Sequence, residues 1–169
     1  AAPRKMKNRA KVRFHTGTAE VLATVVLLDR DELKPGETCF AQVRLDQPIA
    51  VLREDRFVLR SYSPVRAIGG GKVLNALPRK KKRHSPRVLE ELEVFNSGDL
   101  SRITEQFVAL GRFLGVEHKD LPFLTNQRES QLKEIVQKLL SRQRILMYDR
   151  ERKTYVHRDF YDLARKEIL

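Results

Sequence analysis

The sequence predicts a mixed, two-domain protein: an antiparallel β-barrel followed by an α+β winged helix. Three observations carry that prediction. Apolar residues recur at every second position between Lys11 and Leu74, as strands require. Beyond Ser85 the recurrence changes to a helical period. A pair of short strand-like runs, Arg144 to Tyr148 and Thr154 to His157, then follows three helical segments. The expected division is a barrel over residues 1–78, a basic linker over 79–85 and a winged helix over 86–169.

The elements follow in order. Val12 and Phe14 alternate with Arg13 and His15 before a break at Thr16-Gly17. Thr18 to Leu28 is aliphatic and β-branched on both of its faces, which predicts a strand covered on two sides, by the barrel interior and by a neighbouring domain. Asp29 to Glu37 is a polar turn containing Pro35-Gly36. Thr38 to Leu45, Arg56 to Arg60 and Val65 to Leu74 supply further strands. Short strands parted by turn signals fit a small antiparallel barrel. Ser85-Pro86 opens a helix with the stripe Val88, Leu89, Leu92 and Phe95, closed by Asn96-Ser97-Gly98. Asp99 caps a second helix carrying Ile103, Phe107 and Leu110, and Gln131 to Arg142 forms a third. Asp159 to Leu169 reads as a closing helix.

The net charge of the 169 residues is +12, and its distribution is uneven. Arg4, Lys5, Lys7, Arg9, Lys11 and Arg13 stand together with no acid between them. Arg79, Lys80, Lys81, Lys82 and Arg83 form a second run. Residues 14–78 hold eight basic and eight acidic side chains, and residues 84–169 hold fifteen and fourteen. Nearly all the excess therefore flanks a neutral module. Such runs suit phosphate backbones, because each neutralised phosphate releases condensed counterions.

Several chemistries find no support. Cys39 is the only cysteine, so no intrachain disulfide forms, and its alternation with Ala41, Val43 and Leu45 reads as a small buried hydrophobe. His15, His84, His118 and His157 lie far apart without metal-ligand spacing. Gly69-Gly70-Gly71-Lys72-Val73 only superficially approaches a phosphate-binding loop: position 66 is Arg, position 73 is Val, and no helix follows. Three glycines beside a strand instead predict a bulge or a close backbone approach. No nucleophile setting occurs, so the expectation is no catalytic residue, no metal, no cofactor and no GTP hydrolysis in this chain. No apolar run is long enough for a bilayer, and a cytoplasmic setting without membrane partners is expected.

The segment RFVLRSYSPVRAIGGGKVL (Arg56 to Leu74), with LKPGE (Leu33 to Glu37), RLDQPIA (Arg44 to Ala50) and FHTGTAEV (Phe14 to Val21), resembles the third domain of tRNA-delivering translational GTPases. Within that group it is most similar to the selenocysteine-specific elongation factors, over roughly residues 3–78. The resemblance implies a part of a factor that delivers selenocysteinyl-tRNA to the ribosome at recoded UGA codons. GTP and Mg would then be held by a domain preceding residue 1, together with a second barrel domain and the first strand of the third. The selenoprotein mRNA hairpin would be bound by later winged helices. The chain is accordingly expected to be an internal piece of a longer protein.

In relatives such as elongation factor Tu, the arginine closing an R-F-x-x-R strand and the loop after it touch the T-stem. Carried onto Arg56 to Arg60, this implies a phosphate or ribose contact at Arg60, with Ser61 and Tyr62 beside it. Arg9, Lys11, Arg13 and His15 would join this tRNA surface, the basic linker would add to it, and Arg150, Arg152 and Lys153 are candidates for an RNA contact from the wing. The near-neutral winged helix otherwise reads as a spacer. Two alternatives stand beside this reading: another tRNA-delivering GTPase, and a winged-helix regulator that binds duplex DNA.

Overall fold

The computed structural model describes residues 5–168; Arg4, first in the N-terminal basic run, lies outside them. Two compact units divide the chain, Ala1–Glu93 and Val94–Leu169.

The first unit contains β1 (Met6–Lys7), β2 (Ala10–Thr16), β3 (Ala19–Leu27), β4 (Glu32–Leu33), β5 (Ala41–Leu45), β6 (Arg56–Ser61) and β7 (Ala67–Lys72). Five of them form one antiparallel sheet in the order β5-β3-β2-β6-β7, and β1 pairs with β4 within the turn predicted at Asp29 to Glu37. Alternation sends Val12, Phe14, Ala23, Val25, Leu27 and Leu59 to a buried face, where Phe14 stacks on Phe57 with ring centroids 4.8 Å apart. Cys39 packs at the margin of this core, and burial pushes its thiol upward, in keeping with a small hydrophobe.

The β-rich antiparallel unit is as expected, but the sheet does not close into a barrel among the described residues, since β5 and β7 both stand at its edges. At the β5 edge a side chain takes the place of a strand. The Gln42 amide donates to the Arg79 carbonyl at 3.1 Å and accepts from the Lys81 N–H at 3.2 Å. Among the described residues the β7 edge has no such cover, and all six residues of β7 are exposed. Its glycines answer the expectation of a close approach. A Cβ at Gly70 would stand 2.6 Å from the Phe57 carbonyl oxygen, and one at Gly71 would stand 2.8 Å from the Phe57 ring. The register of β6 against β7 also shifts between Leu59 and Arg60.

The second face of β3 is covered as well, by residues of the segment expected to follow the basic linker. Val26 and Leu28 pack with Leu92, Val88 and Leu89 of helix α1 (Pro86–Asn96). The division between the units falls inside α1, after Glu93. The predicted stripe is therefore shared. Its first three members belong to the β-rich unit, whereas Phe95, 0% exposed, meets Phe107 of the second unit at 4.7 Å.

The second unit runs α2 (Leu100–Leu110), β8 (Val116–Glu117), α3 (Leu121–Thr125), α4 (Glu129–Ser141), β9 (Ile145–Asp149), β10 (Thr154–His157) and α5 (Arg158–Ile168). Asp99 caps α2 as its sequence position indicates, accepting from the Ser101 and Arg102 N–H groups. The strands form an antiparallel sheet in the order β8-β10-β9. Val108, Leu121, Leu132, Val136, Leu139, Ile145 and Tyr155 make the core. Gly115, at φ 68 and ψ −167, enters β8 so close to β10 that a Cβ would stand 2.4 Å from the Tyr155 carbonyl. Only glycine fits both that conformation and that approach. Helix α3 and strand β8 carry no sequence-level prediction; at five and two residues they are too short to show a period.

Candidate nucleic-acid interface

Strand alternation builds the candidate surface. With Val12 and Phe14 pointing into the core, Lys11, Arg13 and His15 fall on the opposite face of β2. Register then aligns neighbours in rows across the sheet. Arg13 lies between Leu22 of β3 and Arg60 of β6, His15 lies between Glu20 and Val58, and Lys11 faces Thr24, which in turn faces Arg44. Two arginines thus stand directly opposite each other, an arrangement that is unfavourable without a counter-charge.

The counter-charge is Glu20. Arg13 Nη1 donates to Glu20 Oε1 at 2.7 Å, and His15 Nδ1 lies 3.9 Å from Glu20 Oε2. The Arg13 hydrogen bond holds the Glu20 carboxyl below the usual carboxylate range, with His15 and Arg60 acting in the same direction. Arg13 Nε and His15 Nε2 are enclosed and have no hydrogen-bond partner among the described residues. The Arg13 guanidinium also lies 5.8 Å from the centre of the Tyr62 ring. Lys11 reaches Asp46 at 3.4 Å.

The loop after β6 departs in part from its assignment. Tyr62 is 56% exposed and borders the cations. The Ser61 hydroxyl turns inward instead, bonding the Pro64 carbonyl and accepting from the Arg66 N–H. It organises the loop rather than presenting itself to a ligand. Lys11, Arg13, His15, Arg60 and Tyr62 are therefore brought together. Arg9 stands outside the ladder, exposed in the turn before β2 with φ 64.

The basic linker divides in the same way. Lys81 forms an ion pair with Glu91 at 2.5 Å, with little of either side chain exposed. Arg83 donates to the Leu27 and Arg30 carbonyls, both at 2.7 Å, and pairs with Asp31. These two cations hold the segment to the protein. Only Arg79, Lys80 and Lys82 have exposed side chains. No sequence period announces this, because the partners lie ten to fifty-six residues away.

In the second unit, Asp149 accepts from the Arg152 N–H and ties the β9–β10 turn, leaving Arg150, Arg152 and Lys153 exposed and without an ion pair among the described residues. With the division after Glu93, this unit holds fourteen basic and eleven acidic residues, a net charge of +3. The near-neutrality expected of residues 84–169 came from glutamates of α1 that belong with the first unit. Glu129 is engaged by His118 at 2.5 Å, and His118 also meets the Tyr155 hydroxyl at 3.0 Å. Among the described residues no group of His, Cys, Asp or Glu stands close enough to hold a metal ion, and no helix is long and apolar enough to cross a membrane.

Residues 1–80 match the family described as selenocysteine-specific elongation factor, beta-barrel domain. A selenocysteine-specific elongation factor of Desulfomicrobium baculatum is 33% identical over 162 residues, covering 96% of this chain and 25% of that protein. The chain thus spans about a quarter of that relative's length. Among solved structures, a bacterial selenocysteine-specific elongation factor, EF-Sec, is similar with a TM-score of 0.47 and 13% identity, over 96% of this chain and 34% of that one.

Proposed function

Because this chain belongs to the selenocysteine-specific elongation factor family, through the beta-barrel domain that its residues 1–80 match and its similarity to a family member over most of its length, we propose that it contributes to delivering selenocysteinyl-tRNA to the ribosome at recoded UGA codons. In this reading the outer face of β2 and β6 grips the tRNA backbone. The observation that carries it is the cross-strand pair Arg13 and Arg60, with Lys11 and Tyr62 beside it. Closely set cations around an aromatic ring suit the phosphates and riboses of an A-form stem, which is recognised by shape and backbone rather than by base edges. Arg9 and the exposed linker residues Arg79, Lys80 and Lys82 extend the charge.

The second unit reads as a winged helix, with α2, α3 and α4 packed on the β8-β10-β9 sheet and the β9–β10 turn as its wing. It acts as a spacer towards modules that bind the selenoprotein mRNA hairpin, with Arg150, Arg152 and Lys153 as its own RNA contact. GTP and Mg belong to a separate domain of the factor, which is a cytoplasmic GTPase; the residues described here supply neither.

The test is a salt titration of tRNA binding by the full chain and by Arg60→Ala, with selenocysteine tRNA and an ordinary elongator tRNA as ligands. The expected result is steeply salt-dependent binding, with the log–log slope reduced by about 0.7–0.9 in the variant, one phosphate contact's worth. An unchanged slope and affinity in Arg60→Ala would overturn the assigned surface. A preference for duplex DNA would replace the delivery reading with that of a regulator.

A further inference from the structure

Glu20 is the feature of the β2–β6 face that a phosphate-binding reading leaves unexplained. An acid at the centre of a cationic surface repels the ligand, yet this one is held by the residues assigned to grip that ligand. Arg13 donates to it at 2.7 Å, His15 approaches to 3.9 Å, and the Arg60 charge acts on it. Register places Arg60 opposite Arg13 and Glu20 opposite His15, so the carboxylate occupies the position where the field of the three basic side chains converges. It does not satisfy them. Among the described residues Arg13 Nε and His15 Nε2 have no partner, and Arg60 forms no ion pair. Glu20 itself remains about half exposed, with a side-chain exposure of 46%, and sits one residue past the start of β3, near the Thr16-Gly17 turn. It is free to swing towards solvent without disturbing the buried face.

Resting on the tRNA-binding reading of this face, we propose that Glu20 occupies a phosphate site: its carboxylate stands where an RNA phosphate binds, and the phosphate displaces it to reach Arg13, Arg60 and His15. A phosphate offers more acceptor oxygens than the single carboxylate oxygen that Arg13 now engages, and arginine pairs with phosphate in a bidentate manner. The exchange replaces a weak, solvent-exposed ion pair with one that also separates the two opposed arginine charges. Glu20 thereby sets a threshold. Isolated anions and weakly charged ligands compete poorly with a tethered carboxylate, whereas a backbone that presents several phosphates at once pays the displacement from its other contacts. It is a specificity-determining residue that touches the binding groups rather than the RNA.

The experiment measures binding of a fluorescently labelled A-form RNA duplex to the full chain as a function of salt. Glu20→Gln is compared with Arg60→Ala and with Glu90→Gln, which removes the same charge from an exposed position on α1, the helix that packs on Val26 at the opposite end of β3 from Glu20. Glu20→Thr serves as a second variant that keeps a strand-favouring residue, and thermal melting confirms folding. The expected result is about a three- to tenfold gain in affinity for both Glu20 variants and a slope steeper by about one unit, as an additional cation engages phosphate. Glu90→Gln is expected to stay within about twofold of the unaltered chain, the scale of a surface charge removed from a distance. Glu20 variants that bind no better than Glu90→Gln, or more weakly than the unaltered chain, would overturn the proposal and make Glu20 an organiser of Arg13. Arg60→Ala separates the two levels: if it loses affinity while the Glu20 variants are neutral, only the Glu20 proposal falls. If Arg60→Ala is neutral, the tRNA-binding reading of the face falls with it.

Discussion

Alanine substituted in turn for Gly69, Gly70 and Gly71 separates three surroundings within a single strand. At Gly70 the added methyl carbon would lie 2.6 Å from the Phe57 carbonyl oxygen. A tolerable C···O contact is about 3.3 Å or longer, so roughly 0.7 Å of overlap must be relieved by moving backbone. At Gly71 the obstacle is the Phe57 ring, 2.8 Å away and itself stacked on Phe14, so the ring must leave its stack. Overpacking of this kind costs about 1–3 kcal/mol. For a domain of this size that lowers the melting temperature by about 4–8 °C per kcal/mol. Nothing lies within 4 Å of a Cβ at Gly69, and its φ is not positive. There alanine should be neutral or stabilise by up to about 1 kcal/mol, by restricting the unfolded chain. The assay is urea unfolding of the full chain, followed through the backbone amides of Val12, Ala23 and Leu59 so that only the first unit is reported. A Phe57→Ala background sharpens the test. It should abolish the cost of Gly71→Ala, whose obstacle is a side chain, and leave that of Gly70→Ala, whose obstacle is main chain. Equal effects at all three glycines, or relief of Gly70→Ala by Phe57→Ala, would refute the reasoning.

Three further outcomes are expected. Leu132, 0% exposed in the core of the second unit, should cost about 2–5 kcal/mol as alanine, read as an earlier melting transition of α4 and β10 amides while those of β2 and β3 hold. Asp99→Ala removes the acceptor for the Ser101 and Arg102 N–H groups and should cost the second unit about 1 kcal/mol, measured by urea titration. Arg83 holds the Asp31 carboxyl below its ordinary range, so the stabilisation it gives is present above the unfolded-state value and is lost as pH falls through the lower folded-state value, under about pH 4. Asp31→Asn should accordingly lose less stability than the unaltered chain between neutral and acid pH. The difference will be small, since the Asp31 side chain is 77% exposed; a larger acid loss in the variant would contradict it.

Local chemistry made several elements readable in the sequence. β10 coincides with its predicted run, the Asp99 cap sits where an acid before an apolar period indicates, and the alternation of Val12 and Phe14 with Arg13 and His15 located the cationic face. What escaped depended on partners remote in sequence. The stripe of α1 showed that a face is buried but not against what, and the two units share it. The Arg79–Arg83 run read as five equivalent cations, although Lys81 and Arg83 are committed to Glu91, Asp31 and two carbonyls. Glu20 read as one acid in a neutral module, because its meeting with Arg13, His15 and Arg60 follows from strand register, which composition does not encode.

The β7 edge, uncovered among the described residues, gives salt a double effect on these residues' sheet. Its main chain is a template for another strand, and Arg56, Arg60 and Arg66 stand near it in sequence and on the adjoining strand. At low ionic strength two copies approaching edge to edge meet like charge and stay apart. Added salt screens that repulsion over the few ångströms that matter and leaves the hydrogen-bonding groups untouched. The conditions that strip nucleic acid from the cationic face are therefore those under which the sheet is freest to recruit its own kind. Storage with a bound polyanion, rather than in concentrated salt, should keep it monodisperse.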